Sequence, residues 1–341
     1  MKKLLWFLVL LVTAFFVAGM FLPAQVHVER AIVVERPPSV IYPLLNGFRH
    51  FNAWSPWAAK DPEATYEFSG PDTGVGARMD WAGDPASVGS GSQEIVSVTP
   101  NERVDIRLDF GSQGVARSAY LLEPVDGGTR VTWSFDADLT QGQGPLDAII
   151  GRWMGLFYDR WVGADYEQGL QNLKRYAESF PAMDFDDLDV ALVDVEPVPV
   201  LYVSGGTTQD PGDIADALAD AYGEISRYMG EHGIEQNGQP MAITRAWDEE
   251  GYRFDAAVPV PEGDYPEDAQ VRYGESPSGR AVRVVHHGPY DRMMPTYEKL
   301  AAWMSVHGLR EGEVSWEHYV TDPADTPADE LRTHIYFLVR D

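Results

Sequence analysis

At 341 residues, with 44% hydrophobic and 12% aromatic side chains, the chain suits two packed domains and is not generally disordered. Acidic side chains outnumber basic ones 53 to 26, and the net charge of −27 repels phosphate backbones and disfavours lying flat on anionic lipid. The absence of cysteine excludes disulfides, thiolate nucleophiles, cysteine metal sites and a lipidated N-terminal cysteine together.

Lys2 and Lys3 precede LLWFLVLLVTAFFVAGMFL, Leu4 to Leu22, 19 positions without a charge. At about 1.5 Å per residue this run gives about 28 Å of helix, near the hydrocarbon thickness of a bilayer. Residues 1–24 are therefore read as a single-pass anchor in the inner or cytoplasmic membrane. The lysines stay in the cytoplasm, and everything after Pro23 lies on the far side. The competing reading is a cleaved signal peptide. Its apolar core is usually shorter, about 7 to 15 residues, and Val17-Ala18-Gly19 is a poor cleavage site.

Beyond the anchor the pattern is mostly strand. VHVERAIVVER (26–36) alternates, and PPSVIYPLLNGF suggests a short helix opened by prolines. EIVSVTPNERVDIRLDF (94–110) reads as two strands joined at Pro-Asn, and SAYLLEPVDGGTRVTWSFDADL (118–139) as two joined at Asp-Gly-Gly. From Pro145 to Ser179 the period changes. Ile149, Trp153, Leu156, Phe157, Trp161, Leu170, Leu173 and Tyr176 suit one long amphipathic helix laid across the sheet.

VERAIVVERPPSVIYPLL, FNAWSPWAAKDP (51–62) and FSGPDTGVGARMDW (68–81) resemble the polyketide-cyclase-like branch of the SRPBCC, or START-like, helix-grip superfamily. The resemblance covers about residues 25–180. It implies an α+β fold with an apolar cavity between sheet and final helix, usually for hydrophobic ligands, and brings no universal catalytic set. Trp54 and Trp57 are cavity candidates on this resemblance, while burial tendency favours plain core.

Residues 181–197 are acidic and proline-flanked, and read as a linker with room for one short paired segment. Asp184, Asp186, Asp187 and Asp189 invite a calcium reading, but the glycine-turned loop and terminal glutamate of an EF-hand are missing. After the linker, AYGEISRYMGEHGI (221–234) and TYEKLAAWMSVHGL (296–309) align without gaps at an offset of 75, Tyr222 against Tyr297 and His232 against His307. Strands flank both copies, which defines a duplicated β-α-β-β unit over 198–341 with a natural ligand cleft between its halves.

That duplication, with RVVHHGPYDRMMPTYEKLAAWM (283–304) and WEHYVTDPADTPADELRTHIYFLV (316–339), resembles the GyrI-like effector-binding domain also attached to AraC-type and MerR-type regulators. The resemblance implies that the glutamate of the E-x-Y strand faces the inter-repeat cleft among aromatics, where it meets cationic or polar drug-like ligands. Glu317 and Tyr319 occupy those positions. Strand alternation then sends Trp316 and His318 to the other face. Tyr290, Trp303 and Tyr336 are the candidate aromatic walls, each equally suited to a core.

A partly buried carboxylate needs a donor or a cation, or its pKa rises. Glu317 is thus a ligand anchor, a general acid/base, or a structural partner of Arg332 or Arg283. His232 and His307 each precede a glycine at a helix end and read as caps. His286 and His287 are adjacent on a strand and cannot share one metal. VGSGSQ (88–93) lacks the order of a nucleophile elbow, and GVGARM (74–79) fits a sheet turn better than a dinucleotide loop. No cofactor, metal or nucleic-acid partner is expected. Two classes of function remain. One is an anchored binding protein for hydrophobic or amphipathic, including cationic, small molecules. The other is a hydrolase or cyclase in which Glu317 activates water.

Overall fold

The computed structural model describes residues 2–140 and 144–340. It separates into two units, Met1–Asp184 and Phe185–Asp341.

The first unit opens with helix α1 (Lys2–Met20). Among the described residues it is one helix long and apolar enough to cross a membrane, a property that signal sequences share. Strand β1 (Gln25–Val34) is followed by three short helices, α2 (Pro38–Leu45), α3 (Phe51–Trp54) and α4 (Pro56–Lys60). An antiparallel meander comes next: β2 (Thr65–Ser69), β3 (Arg78–Ala82), β4 (Ser90–Thr99), β5 (Arg103–Asp109), β6 (Val115–Val125) and β7 (Gly128–Asp138). β1 closes on β7, giving the order β1-β7-β6-β5-β4-β3-β2. The turns sit where the sequence breaks its alternation. Asn101 takes φ 59° between β4 and β5, and Gly127 takes φ 83° between β6 and β7.

Helix α5 (Pro145–Glu178) grips the sheet through its second half, where Tyr166, Leu170, Leu173 and Ala177 are buried. Gly169 permits the close approach, because a Cβ there would come within 2.7 Å of the Trp133 ring. Arg30 of β1 fastens the helix from below, donating to Glu167 at 2.6 Å and Asp159 at 3.0 Å. The helix has the expected span, but its apolar residues do not share one buried face. Leu156, Phe157 and Trp161 are about half exposed, because β7 has ended at Asp138 before the chain turns back.

The second unit comprises β8 (Val190–Val195), β9 (Pro199–Thr207), α6 (Pro211–His232), β10 (Met241–Asp248), β11 (Gly251–Pro259), β12 (Arg272–Glu275), β13 (Gly279–His287), α7 (Met294–Val306), β14 (Arg310–Tyr319) and β15 (Arg332–Arg340). One sheet runs β12-β9-β11-β10-β14-β15-β13-β8. Its centre is the β10–β14 pair, with Ala242 directly opposite Glu317, the same offset of 75 seen between the helices. A pseudo-twofold axis therefore passes between these two residues. Each half is β-β-α-β-β, one strand longer than the unit read from the sequence. β8 leaves its own half to pair with β13, and β12 leaves its half to pair with β9. β8 lies inside the acidic segment expected to be a linker.

Both helices cover one face. Ile225, Tyr228 and Met229 of α6 pack on Leu201, Phe254 and Val258, while Leu300 and Met304 of α7 pack on Val282, Val284 and Ile335. The opposite face buries its own side chains, among them Val200, Met241, Ile243, Trp316 and Tyr336. Bulges at Thr244/Ala246 and Glu311/Ser315 add the bend that such mutual burial requires. Asp210 caps α6 by accepting from the Gly212 amide at 2.9 Å, with Pro211 at the first turn and Gly233 at φ 66° closing the other end. Asp210→Ala should remove about 1 kcal/mol from the second unit, read as a shift in its denaturation midpoint, whereas Asp210→Asn should lose a few tenths.

Candidate functional site

The site is built around one carboxylate on the pseudo-twofold axis. Alternation along β14 turns Glu317 toward the helix-covered face, where Tyr297 of α7 donates to Oε1. Tyr319, two residues on and therefore on the same face, donates to Oε2 at 2.7 Å. Three further phenols surround the pair. The Tyr222 ring of α6 stands edge-on to Tyr319 at 6.4 Å, and the Tyr290 ring does so at 5.3 Å. Tyr252 of β11 is buried alongside, close enough for its phenol to feel the Glu317 charge. Ala242, the twin of Glu317, lies buried across the axis. A second carboxylate there would repel the first, so the duplication has been broken where its two copies meet.

Electrostatically the site is an unneutralised negative centre. Glu317 has no ion pair among the described residues, and burial raises its pKa against the lowering effect of the two phenol donors. Tyr222, Tyr252, Tyr290, Tyr297 and Tyr319 are all raised, first by burial and further by the Glu317 charge, with Asp322 ahead of Glu317 at Tyr290, so every phenol stays neutral. The Tyr222 hydroxyl is buried without a partner, as is the Thr333 hydroxyl, and Thr333 stands directly across from Tyr319. Glu317, Tyr222, Tyr290, Tyr297 and Tyr319 nevertheless keep part of their surface open to solvent. The chemistry on offer is one carboxylate, neutral hydroxyls and several ring faces.

The structure brings Glu317, Tyr319 and Tyr290 together and separates two other candidates from them. Tyr336 is not a wall of this site. It pairs across the strands with Trp316, stacks on it at 4.8 Å, and so lies on the far face with His318 and His334. Trp303 follows Tyr297 by six residues, about 240° around α7, and stacks on His307 at 3.7 Å instead. The pairing of Glu317 with Arg283 or Arg332 is also absent. Arg283 stands across from Tyr336 on the far face, with its Nε buried and unpartnered, and Arg332 is exposed. Tyr297, Tyr222 and Tyr252 escaped the sequence reading. The signal for the first two was present in the repeat, where they are matched positions on twin helices that face one axis.

The first unit shows a different interior. Trp133 stacks on Tyr166 at 3.8 Å and meets the rings of Tyr120, Trp54 and Trp57 at 5.3, 5.5 and 5.7 Å. The space between sheet and final helix is filled with rings at this level, and Trp54 is core, 1% exposed. Trp57 is half-buried and donates to Asp165 at 3.0 Å. A groove of about 870 Å³ does lie on the sheet face away from α5, and within it Arg103 and Asp105 are bonded to each other.

These features define a helix-grip domain followed by a duplicated domain with a carboxylate enclosed by tyrosines. A family model described as polyketide cyclase/dehydrase and lipid transport matches residues 25–178, and one described as GyrI-like small molecule binding domain matches residues 188–340. The chain is therefore a polyketide-cyclase-like (SRPBCC-like) domain joined to a GyrI-like domain, both of them small-molecule-binding folds. No curated protein matches it. Among solved structures, the EcmrR C-terminal domain is 17% identical, with a TM-score of 0.37 over 45% of this chain and 98% of that one. A hydrolase from Listeria innocua is 15% identical, with a TM-score of 0.33 over 44% of this chain and 91% of that one. Overlaps of this extent say nothing about ligand or reaction.

Proposed function

We propose that the protein is a membrane-anchored receptor or sequestering protein for amphipathic cations, with the Glu317 cleft as its main site and α1 as its anchor. The observation that carries this reading is a buried carboxylate bonded by two tyrosines, with three more around it and no basic partner among the described residues. A carboxylate so placed gains most from a ligand that brings its own positive charge. The ring faces add cation–π attraction to a desolvated ammonium, about 2 kcal/mol or more in sites of this kind. The anchor reading rests on the charge-free run and its flanking lysines, which favour both domains on the extracytoplasmic side.

The test uses benzyltrimethylammonium and its neutral carbon isostere neopentylbenzene, titrated calorimetrically into the full chain at pH 7. The ammonium should bind at least tenfold more tightly. Equal binding of the two, or binding of neither, would remove the cation reading.

A further inference from the structure

A stripe on the first half of α5 has no use in either site. Leu146, Ile150, Met154, Phe157 and Trp161 recur at spacings of four, four, three and four residues, which places them along one side of the helix. All are exposed, from 42% at Met154 to 62% at Leu146. Arg152 and Asp159 fall near the opposite side and are engaged there. Arg152 donates at 2.8 Å to the Met20 and Leu22 carbonyls at the end of α1, and Asp159 holds Arg30.

The same half of α5 is fastened to α1. The Trp153 ring stacks on Phe15 at 4.9 Å, and its Nε1 donates to the Phe15 carbonyl at 3.2 Å. Gly19 makes the approach possible, because a Cβ there would lie 2.6 Å from Ile149 Cγ2. Phe15 is seven positions before Leu22, the end of the apolar run, so it lies about 10 Å inside that run. Trp153 is held at the same level. If α1 crosses a bilayer, Trp153 of α5 is below its surface.

We infer that the stripe from Leu146 to Trp161 faces the acyl chains of the bilayer beside the anchor. The occupant is acyl chain rather than anionic headgroup, because the stripe carries no charge and the chain as a whole carries −27. The helix that closes the grip over the sheet is thus also the one that touches lipid. The inference builds on the anchor reading, and its test separates the two.

Because the protein has no cysteine, single positions can be labelled in the full chain. Thr13→Cys reports on α1, Met154→Cys and Phe157→Cys on the stripe, and Gln113→Cys on an exposed turn of the first unit. Each carries a bimane fluorophore in phosphatidylcholine vesicles with or without acyl-chain spin-labelled lipid. Quenching is expected at Thr13, Met154 and Phe157, at least twofold above Gln113. Quenching at Thr13 alone would overturn the lipid face and leave the anchor, since the stripe would then face water, a second copy or another protein. Quenching at Met154 and Phe157 without Thr13 would sustain the lipid face and remove the anchor. No quenching beyond the Gln113 level would overturn both.

Discussion

Glu317→Gln is expected to weaken benzyltrimethylammonium binding by about 1.5–3 kcal/mol, roughly 10- to 150-fold, and to leave neopentylbenzene nearly unchanged. The substitution keeps the shape of the group; its oxygen still accepts from one tyrosine hydroxyl while its NH2 donates to the other, so the charge is lost and both contacts remain. The unsubstituted protein should also lose ammonium affinity as pH falls through the raised pKa of Glu317, above the ordinary glutamate range, while the variant shows no such step. Stability should move the other way. A carboxyl raised on folding favours the native state only while protonated; that contribution is present below the unfolded value and lost as pH rises through the folded one. Unliganded Glu317→Gln should therefore be more stable at pH 7, by about 0.5–2 kcal/mol on the scale of relieved functional strain, with the advantage vanishing in acid. Calorimetry and denaturation across pH read both. A loss of stability at neutral pH, or an unaltered ammonium affinity, would mean that the tyrosines fully satisfy the carboxylate. For a hydrolase the same variant would bind normally and lose turnover by ~10²-fold.

How much of this was legible depended on whether the deciding signal was local. The meander of the first unit was readable because its turns carry their own chemistry, as at Asn101 and Gly127. That Glu317 and Tyr319 share one face was readable because a strand alternates strictly, whereas which face it is came from the family resemblance. Tyr336 required the register between β14 and β15, which no single strand contains; a shift of one position would have put it beside Glu317. Trp303 failed for a helical reason, since its aromatic character was visible but its angle relative to Tyr297 was not used. β8 and β12 were obscured because they are short, 6 and 4 residues, and pair with the opposite half. The exposed half of α5 shows the limit of periodicity: it marks an apolar stripe and leaves open whether protein or lipid covers it.

Trp133→Ala should have the largest effect on stability, about 3–5 kcal/mol, because it removes the ring on which the grip of the first unit closes. The indole is 2% exposed, stacks on Tyr166 at 3.8 Å, and donates through Nε1 to Ser118 at 2.9 Å. Ser118 is buried, so its hydroxyl would lose a donor as well as a neighbour. Collapse into the gap is resisted from both sides, by the β6–β7 pairing beneath and by α5 above, pinned through Arg30. The variant should therefore hold a cavity with ring-lined walls, and added indole should restore part of the lost stability by mass action. Trp133→Phe keeps a stacked ring and should lose only about 1–2 kcal/mol, mainly the Nε1 hydrogen bond. Denaturation of the three proteins, with and without indole, separates a filled core from a ligand cavity. If indole stabilises the unsubstituted protein equally well, the first unit already has room for a guest, and the rings of Trp54, Trp57, Tyr120 and Tyr166 are its walls. If Trp133→Ala loses less than 1 kcal/mol, the rings repack and the grip does not depend on that stack.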